Sequence, residues 1–492
     1  MATAQQAARG AAWLIVTSLG ARIVGVIGTL VITRFLDKEV VGEVVGATIL
    51  VFTAGWLSTW GFGPYAVVKG RGDDALEVTW HATVAYFVLG AVGLGFVVAF
   101  AHDFAAFIDA PHCARYIPGM ALAVFIKRLG AVPERVLTRS MRFRPVGLAA
   151  AFGEIVYAIT AVSLAASGWG GDAIVVGNIV QSTVTVTILI YAAGWREWAT
   201  PVRLRWERIK DMLRFGGPLA IESIAHNAAR YWDNLIVTKL YGTGPAGAYN
   251  LAYNLADVPA VQIGEQLALV LLPSMAALPP ERRPRALERS TALLSLIIFP
   301  LATGLGLVAP PLVALILSPE WQDVAPLLTI LTVLSVFRPV TWVLSAYMEA
   351  QERTSRLMLL EVGKVIVLIG GMLALSPLGL HAAAGAIGIA YGLHAVAGVA
   401  MVMREGPSPR RLIIGFVQPL LACAVMFVVV LGVRILVERA DLHVALQLAI
   451  EVVVGAITYV AAALVICRTT ARDFLNLLRD LLRRRRDPAA SF

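Results

Sequence analysis

The chain has 492 residues, 58% of them hydrophobic and 15% charged, with a formal net charge of +9 and a mean hydropathy of +0.77. Soluble domains hold roughly 45–50% apolar and about 25% charged residues, so this composition excludes a water-soluble globular fold and points to an all-α integral membrane protein. Cys113, Cys423 and Cys467 stand too far apart for metal-ligand spacing or a disulfide framework and read as small apolar fillers.

Crossing a hydrocarbon core of about 30 Å takes about 20 apolar residues, and that ruler divides the chain into about fourteen spans. The first, residues 11–33, is too long for the core of a secretion signal and ends on Arg34, Asp37, Lys38 and Glu39 rather than on a small-residue cleavage site. Residues 40–67, 78–101, 115–133, 146–167 and 173–194 complete a set of six. A basic linker precedes a second set at residues 215–237, 246–272, 290–317, 324–346, 356–375 and 381–403. Pro300 and Pro310-Pro311 interrupt residues 290–317. Two further spans, residues 412–437 and 443–467, lead into a basic tail. The expected organisation is an N-terminal six-helix lobe (residues 1–194), a cytoplasmic linker (195–214) and a C-terminal six-helix lobe (215–403). Two additional helices (404–467) and a cytoplasmic tail (468–492) follow, and the two lobes are expected around a central cavity.

Loop charge tests this division independently, because cytoplasmic loops concentrate lysine and arginine. With the N-terminus inside, the inner segments contain Arg135, Arg139, Arg142 and Arg144, then Arg203, Arg205, Arg208, Lys210 and Arg214, and finally Arg483 to Arg486. The outer loops hold few basic residues, which places both termini in the cytoplasm. The net positive charge then belongs to the inner face and needs no nucleic acid as partner. Leu204, Trp206, Ile209 and Leu213 among the linker's charges, and Phe474, Leu478 and Leu481 in the tail, make amphipathic segments suited to the anionic inner leaflet of the bilayer.

An internal repeat is visible at an offset of 205 residues. Thr33-Arg34-Phe35-Leu36 with Gly42 lines up with Thr238-Lys239-Leu240-Tyr241 with Gly247. Six spans per half insert both halves in the same direction, the parallel-repeat arrangement that places a substrate site near the midplane. Enzyme signatures are missing: the sequence contains no P-loop, HExxH, GxSxG or DxD motif, and it calls for no cofactor. The outer loops are too short for an extracytoplasmic catalytic domain.

Ionisable residues inside spans carry the functional signal, because a charge at bilayer depth costs at least about 2.5–3.5 kcal/mol and faces protein or a watery cavity. Glu222, His226, Arg230 and Asp233 share one face of the seventh span, and Asn250, Asn254 and Asp257 one face of the eighth, with Gln262 and Glu265 beyond. Ser18 and Arg22 form a stripe on the first span, and Arg338 precedes Pro339 in the tenth. Arg230 with Asp233, and Glu361 with Lys364, are spaced to neutralise each other. That structural reading is preferred for the Glu361 pair and the functional one for Arg22 and Arg230. Lys127 and Arg128 lie near the inner end of a span and can snorkel. Glu154 and Glu451 read as lone carboxylates without a role.

The run Pro133-Glu134-Arg135-Val136-Leu137-Thr138-Arg139-Ser140-Met141-Arg142-Phe143-Arg144 resembles the inner loop between helices four and five of Wzx-type polysaccharide transporters. Asp233-Asn234-Leu235-Ile236, Gly247-Ala248-Tyr249-Asn250-Leu251-Ala252, Pro259 and Leu272-Pro273-Ser274-Met275 are similar to that family's helix seven to eight segment. The family lies in the multidrug/oligosaccharidyl-lipid/polysaccharide exporter superfamily, whose lipid II flippases and multidrug and toxin extrusion pumps share the general plan. The resemblance implies a bacterial inner-membrane flippase that moves undecaprenyl-diphosphate-linked oligosaccharide to the periplasmic leaflet, with polysaccharide polymerase and export machinery as its partners. Arg22, Arg230 and Arg338 are then the candidates for the diphosphate, because arginine forks bind phosphate oxygens bidentately. Asn250, Tyr253 and Asn254 are the candidates for the sugars, and Asp233, Asp257 and Glu265 for a coupling cation or proton. A cation-coupled exporter of small organic cations is the second reading, and a membrane scaffold for glycan-assembly enzymes the third.

The topology predicts that green fluorescent protein fused after Phe492 fluoresces in bacteria, whereas alkaline phosphatase at the same position is inactive. The reverse pattern would place the tail outside.

Overall fold

The computed structural model describes residues 17, 20–21, 23–57, 60, 62, 65–66, 75–140, 142–259, 271, 275, 278–351, 353–403, 406–440 and 442–486. Their regular structure is helical throughout. Named in chain order, the principal helices begin with α1 (Ile23–Ile32), α2 (Lys38–Leu57), α3 (Ala75–Ala99), α4 (Ile117–Leu129), α5 (Phe143–Ala166) and α6 (Asp172–Ala193). They continue with α7 (Trp206–Tyr241), α8 (Thr243–Pro259), α9 (Arg283–Leu307), α10 (Val324–Ala350) and α11 (Thr354–Leu375). The last are α12 (Leu380–Met403), α13 (Pro409–Arg439), α14 (Val444–Ile466) and α15 (Arg468–Arg486).

Among the described residues, 10 helices are long and apolar enough to cross a membrane. The other expected spans differ for visible reasons. Part of the first lies outside the described residues. The fourth breaks at Gly130, where α4 gives way to a short helix, Ala131–Arg139. The seventh is a 36-residue helix that runs on from the basic linker and carries a polar stripe, so its composition masks its length. α8 is described for 17 residues, up to Pro259. The ninth is among the ten but is divided: α9 continues through Pro300 and ends at Leu307, and Ala309–Ile316 forms a separate helix with the proline pair in its first turn. A proline there removes no needed N–H.

Packing divides the chain into two compact units, Met1–Asn250 and Leu251–Phe492. In the first, α5 packs along α6, α6 along α4, and α2 against α7. One core cluster joins Val44, Ala47 and Val51 of α2 to Met120 and Ala121 of α4, with Cys113 at its edge. In the second unit α11 pairs with α12, α9 with α10 and α13, and α13 with α14. Cys423 and Cys467 fill a cluster with Phe299 and Tyr459. Large apolar side chains remain outside these cores, among them Ile159, Val428, Ile457 and Val465. Acyl chains rather than water are the solvent that makes such a surface stable.

The basic linker is pinned where it enters α7. Arg208 Nε donates to Glu77 Oε1 of α3 at 3.4 Å, and the backbone N–H of Arg205 donates to His81 Nε2 at 2.8 Å. Hydrogen bonding to the Tyr65 hydroxyl, ahead of the contact with Glu77, holds the Arg208 guanidinium above its already high ordinary value. Trp206 and Leu204 stay exposed beside these contacts, as an interfacial segment requires. Arg128 corrects an expectation. Instead of snorkelling, it is partly buried and donates to the Gly55 carbonyl of α2.

One contact within the first unit joins the two copies of the repeat. A methyl group built on Gly42 of α2 would strike the Thr243 carbonyl and lie 3.1 Å from the Gly247 nitrogen of α8. One built on Gly247 would strike the Lys38 carbonyl and lie 3.1 Å from the Gly42 nitrogen. Lys38 and Thr243 are themselves equivalent at the 205-residue offset, as are the two glycines. The contact is therefore reciprocal, residue for residue, as in an isologous interface, and backbones this close leave no room for a Cβ. Gly42→Val is expected to cost about 3 kcal/mol or more through overpacking. Gly432→Ala, where a methyl meets nothing, should be neutral or stabilise by about 0.5–1 kcal/mol through helix propensity. Thermal unfolding of the purified proteins measures both.

Candidate functional site

The polar stripe of α7 does not stay uniform when it folds. His226 is exposed, Arg230 half-buried and Asp233 fully buried; the side chain of Glu222 lies outside the described residues. Each helical turn rotates the stripe against a different neighbour, so a shared face does not mean a shared environment. Asp233 is held from three sides. The Tyr249 hydroxyl donates to its Oδ2 at 2.8 Å, and the Asn234 backbone N–H and Nδ2 donate to Oδ1 at 2.8 and 2.9 Å. Asn250 Nδ2 donates to Asn234 Oδ1 at 3.0 Å, which extends the network from α7 to α8. Four hydrogen bonds to buried groups meet the requirement that polar atoms taken from water find partners.

Arg230 faces a different environment. Its guanidinium carbon lies 5.7 Å from the centre of the Tyr231 ring. Tyr231 packs at 5.2 Å on Trp56, and Phe52 lies 6.0 Å from Trp56 and 6.4 Å from Tyr231. Trp232 Nε1 donates to Thr53 Oγ1 at 3.1 Å and ties α7 to α2 at this level. A half-buried cation beside an aromatic cluster is suited to an anion or a polar ring system. Arg22, the other arginine singled out, lies outside the described residues, as do Gln262 and Glu265.

The second unit places its charges in a closed network. Arg338 of α10 is paired with Asp257 of α8, and its NH2 donates to the Tyr253 hydroxyl at 2.8 Å. Its guanidinium carbon also lies 5.4 Å from the Tyr391 ring centre of α12. Lys364 Nζ is 5.0 Å from that same ring and 2.6 Å from Glu361 Oε2. His394 Nε2 stands 3.8 Å from Glu361 Oε1. Arg338, Asp257, Glu361, Lys364 and His394 are all buried. Tyr391 and His394 come from a helix that carries no Asp, Glu, Lys or Arg, so no charge pattern on α12 announced them. Asn254 is half-buried on α8.

Two carboxylates read as lone are not lone. Arg434 of α13 binds Glu451 of α14 bidentately, at 3.0 and 2.7 Å, and Gln447 Nε2 adds a donor at 3.1 Å. Glu154 of α5 accepts from Gln181 Nε2 of α6 at 2.9 Å. Arg434 and Gln181 sit on a neighbouring helix, out of reach of any rule based on spacing along one helix, whereas Gln447 lies four residues before Glu451 on α14 itself.

A family model described as polysaccharide biosynthesis protein matches residues 31–326. The chain is 24% identical over 405 residues to the lipopolysaccharide biosynthesis protein WzxC of Escherichia coli (strain K12), covering 80% of this chain and 78% of that protein. It is 24% identical over 331 residues to the succinoglycan biosynthesis transport protein ExoT of Rhizobium meliloti (strain 1021), covering 67% and 66%. Among solved structures, the fold is similar to lipid II flippase MurJ in an inward closed conformation, with a TM-score of 0.75 at 12% identity over 92% of this chain and 98% of that one. It is also similar to an outward-facing multidrug resistance MATE family transporter, with a TM-score of 0.58 at 18% identity over 80% and 95%.

Lys364→Ala is expected to destabilise the protein by about 3–5 kcal/mol, because it leaves Glu361 buried beside an uncompensated site. Combining Lys364→Met with Glu361→Leu should recover most of that loss. Thermal melts in one detergent compare the variants; equal melting of the single and double variants would remove the pair from the stability of this unit.

Proposed function

The chain belongs to the polysaccharide biosynthesis protein family, a family of membrane transporters rather than enzymes, and from that premise we propose that it flips an undecaprenyl-diphosphate-linked oligosaccharide. The movement runs from the cytoplasmic to the periplasmic leaflet of a bacterial inner membrane, by alternating access. The observation that carries this reading is Arg230, a half-buried arginine on a membrane-crossing helix, seated against the Tyr231, Trp56 and Phe52 rings. A diphosphate needs fixed cations where the dielectric is low, and a guanidinium offers paired donors to its oxygens. Arg22 is the second arginine in this role. Flipping requires no bond to break, so an arrangement without a nucleophile and base is the expected one.

Other residues assist by exchange of partners. Asn250 and Tyr253 are bonded to Asn234 and Arg338, so contact with sugar, by them or by neighbouring Asn254, competes with existing bonds. Arg338 would have to leave Asp257 to reach a phosphate. A proton or cation arriving at Asp233 or Asp257 competes in the same way with Tyr249 or Arg338, which gives a route by which ion binding changes helix contacts. Glu265 is the third carboxylate proposed for coupling. The exporter of organic cations would need a carboxylate rather than an arginine as the dominant group in its site; the Arg230 cluster favours the anionic lipid.

Complementation tests the reading. In bacteria lacking an exopolysaccharide flippase, the wild type should restore surface glycan. Arg230→Ala and Arg22→Ala, inserted at normal levels, should each lower it about tenfold or more, the scale of one charge-assisted contact, with lipid-linked intermediate accumulating in the inner leaflet. Rescue by both variants removes the arginines from the site. Failure of the wild type across several glycan pathways, together with gained resistance to cationic dyes, moves the function to the exporter.

A further inference from the structure

The first unit contains a polar cavity that the charges discussed so far do not explain. It has a volume of about 330 Å³ and lies among α4, α5 and α6, with Phe52 of α2 in its wall. Small-molecule sites begin near this size, at roughly 300 Å³. Its lining includes Glu154 of α5 and Asn178, Gln181, Ser182 and Thr185 of α6. The α6 residues recur at three- and four-residue steps, so they form one polar face of the helix, while Thr183 and Thr187 lie on another side and bond their own backbone. A continuous polar face inside a bilayer is costly unless it meets polar groups. Gly153 lets α6 come close to α5 here: a methyl on it would strike Thr185 Oγ1. Beside it, Gln181 Nε2 reaches Glu154 Oε1 at 2.9 Å, and Thr185 Oγ1 donates to the Ala149 carbonyl at 3.3 Å.

The chemistry of the wall selects among ligands. Glu134 and Lys127 also line the cavity, and among the described residues no arginine does. Carboxylate, amide and hydroxyl groups together offer both donors and acceptors, which matches sugar hydroxyls, each able to donate and accept. A diphosphate would instead meet two carboxylates and a single ammonium. An acyl chain would meet polar atoms that need partners. Phe52 supplies the apolar face that a sugar ring can lie against, and it is also a member of the aromatic cluster beside Arg230. The polar cavity and the arginine site therefore share a side chain.

We propose that this cavity is the sugar-recognition subsite, taking a neutral or amino sugar close to the diphosphate while Arg230 holds the diphosphate itself. The assignment rests on the flippase reading above. Glu154 accepts from sugar hydroxyls, Asn178 and Gln181 donate and accept, and Phe52 packs against the ring. Excess carboxylate in the wall disfavours acidic sugars.

The test uses the full-length protein in lipid nanodiscs and two probes: undecaprenyl diphosphate carrying a neutral disaccharide, and undecaprenyl diphosphate alone. The wild type should bind the glycosylated probe about tenfold more tightly or better, as two sugar hydrogen bonds would provide. Gln181→Ala and Asn178→Ala should abolish that advantage and leave affinity for the bare lipid unchanged, while Arg230→Ala should weaken both probes equally. Asn178→Ala carries the test even if Gln181→Ala fails to fold, since the Asn178 amide bonds the Ile174 carbonyl of its own helix. An advantage that survives in folded Asn178→Ala and Gln181→Ala proteins, or equal binding of the two probes by the wild type, overturns the subsite. A wild type that binds neither probe overturns the flippase reading together with it.

Discussion

The reciprocal contact between Gly42 and Gly247 is the constraint from which the first unit is built. Two helices can meet backbone to backbone only where both lack a side chain, and here the meeting residues are the same residue of a repeated segment. That contact brings α8 against the start of α2, while Trp232 and Thr53 join α7 to α2 nearer the C-terminal end of α2. Between these two ties lies the Asp233 network, and the aromatic cluster that receives Arg230 sits at the level of the second. Moving the glycine contact by one residue would rotate every polar group on α8 relative to α2.

Two treatments of buried charge coexist in the molecule. In the second unit Arg338, Asp257, Lys364, Glu361 and His394 are buried and engaged with one another, with tyrosine rings between them. Arg434 and Glu451 repeat the pattern on the last two spans. Such pairs hold helices in register, and loss of one member leaves the other stranded in a low dielectric. In the first unit Asp233 and Asn234 are likewise buried and hydrogen-bonded, but other polar groups line a cavity, or sit half-exposed against aromatic rings, as Arg230 does. On the proposed function, a charged, sugar-bearing lipid would need the second arrangement where its headgroup passes, and the first would suffice where only helix packing is at stake.

The basic segments serve a third purpose. The N-terminal end of α7 is fastened to α3 through Arg208, Glu77, Arg205 and His81, with Trp206 left at the surface. At the other end of the chain, Arg289 Nε meets Asp473 Oδ2 at 3.0 Å, and Phe474 packs against the core of α9, α13 and α14. These segments are thus attached to the helical body as well as suited to an anionic leaflet.

Hydrophobic length was enough to recover an all-helical membrane chain and the order of its helices, because it follows from the thickness of the bilayer and requires no knowledge of neighbours. The Glu361–Lys364 pair was equally legible, since three-residue spacing on one helix brings the two side chains together. What the chain could not reveal was every contact made between helices. Arg434 beside Glu451, Gln181 beside Glu154 and Tyr391 between Arg338 and Lys364 join residues that no single periodicity relates. The four-residue stripe on α7 looked uniform, yet packing buried Asp233, half-covered Arg230 and left His226 exposed. Sequence determines which residues share a helical face; only the rotation and depth of each helix against its neighbours decide whether that face meets lipid, a partner charge or a cavity.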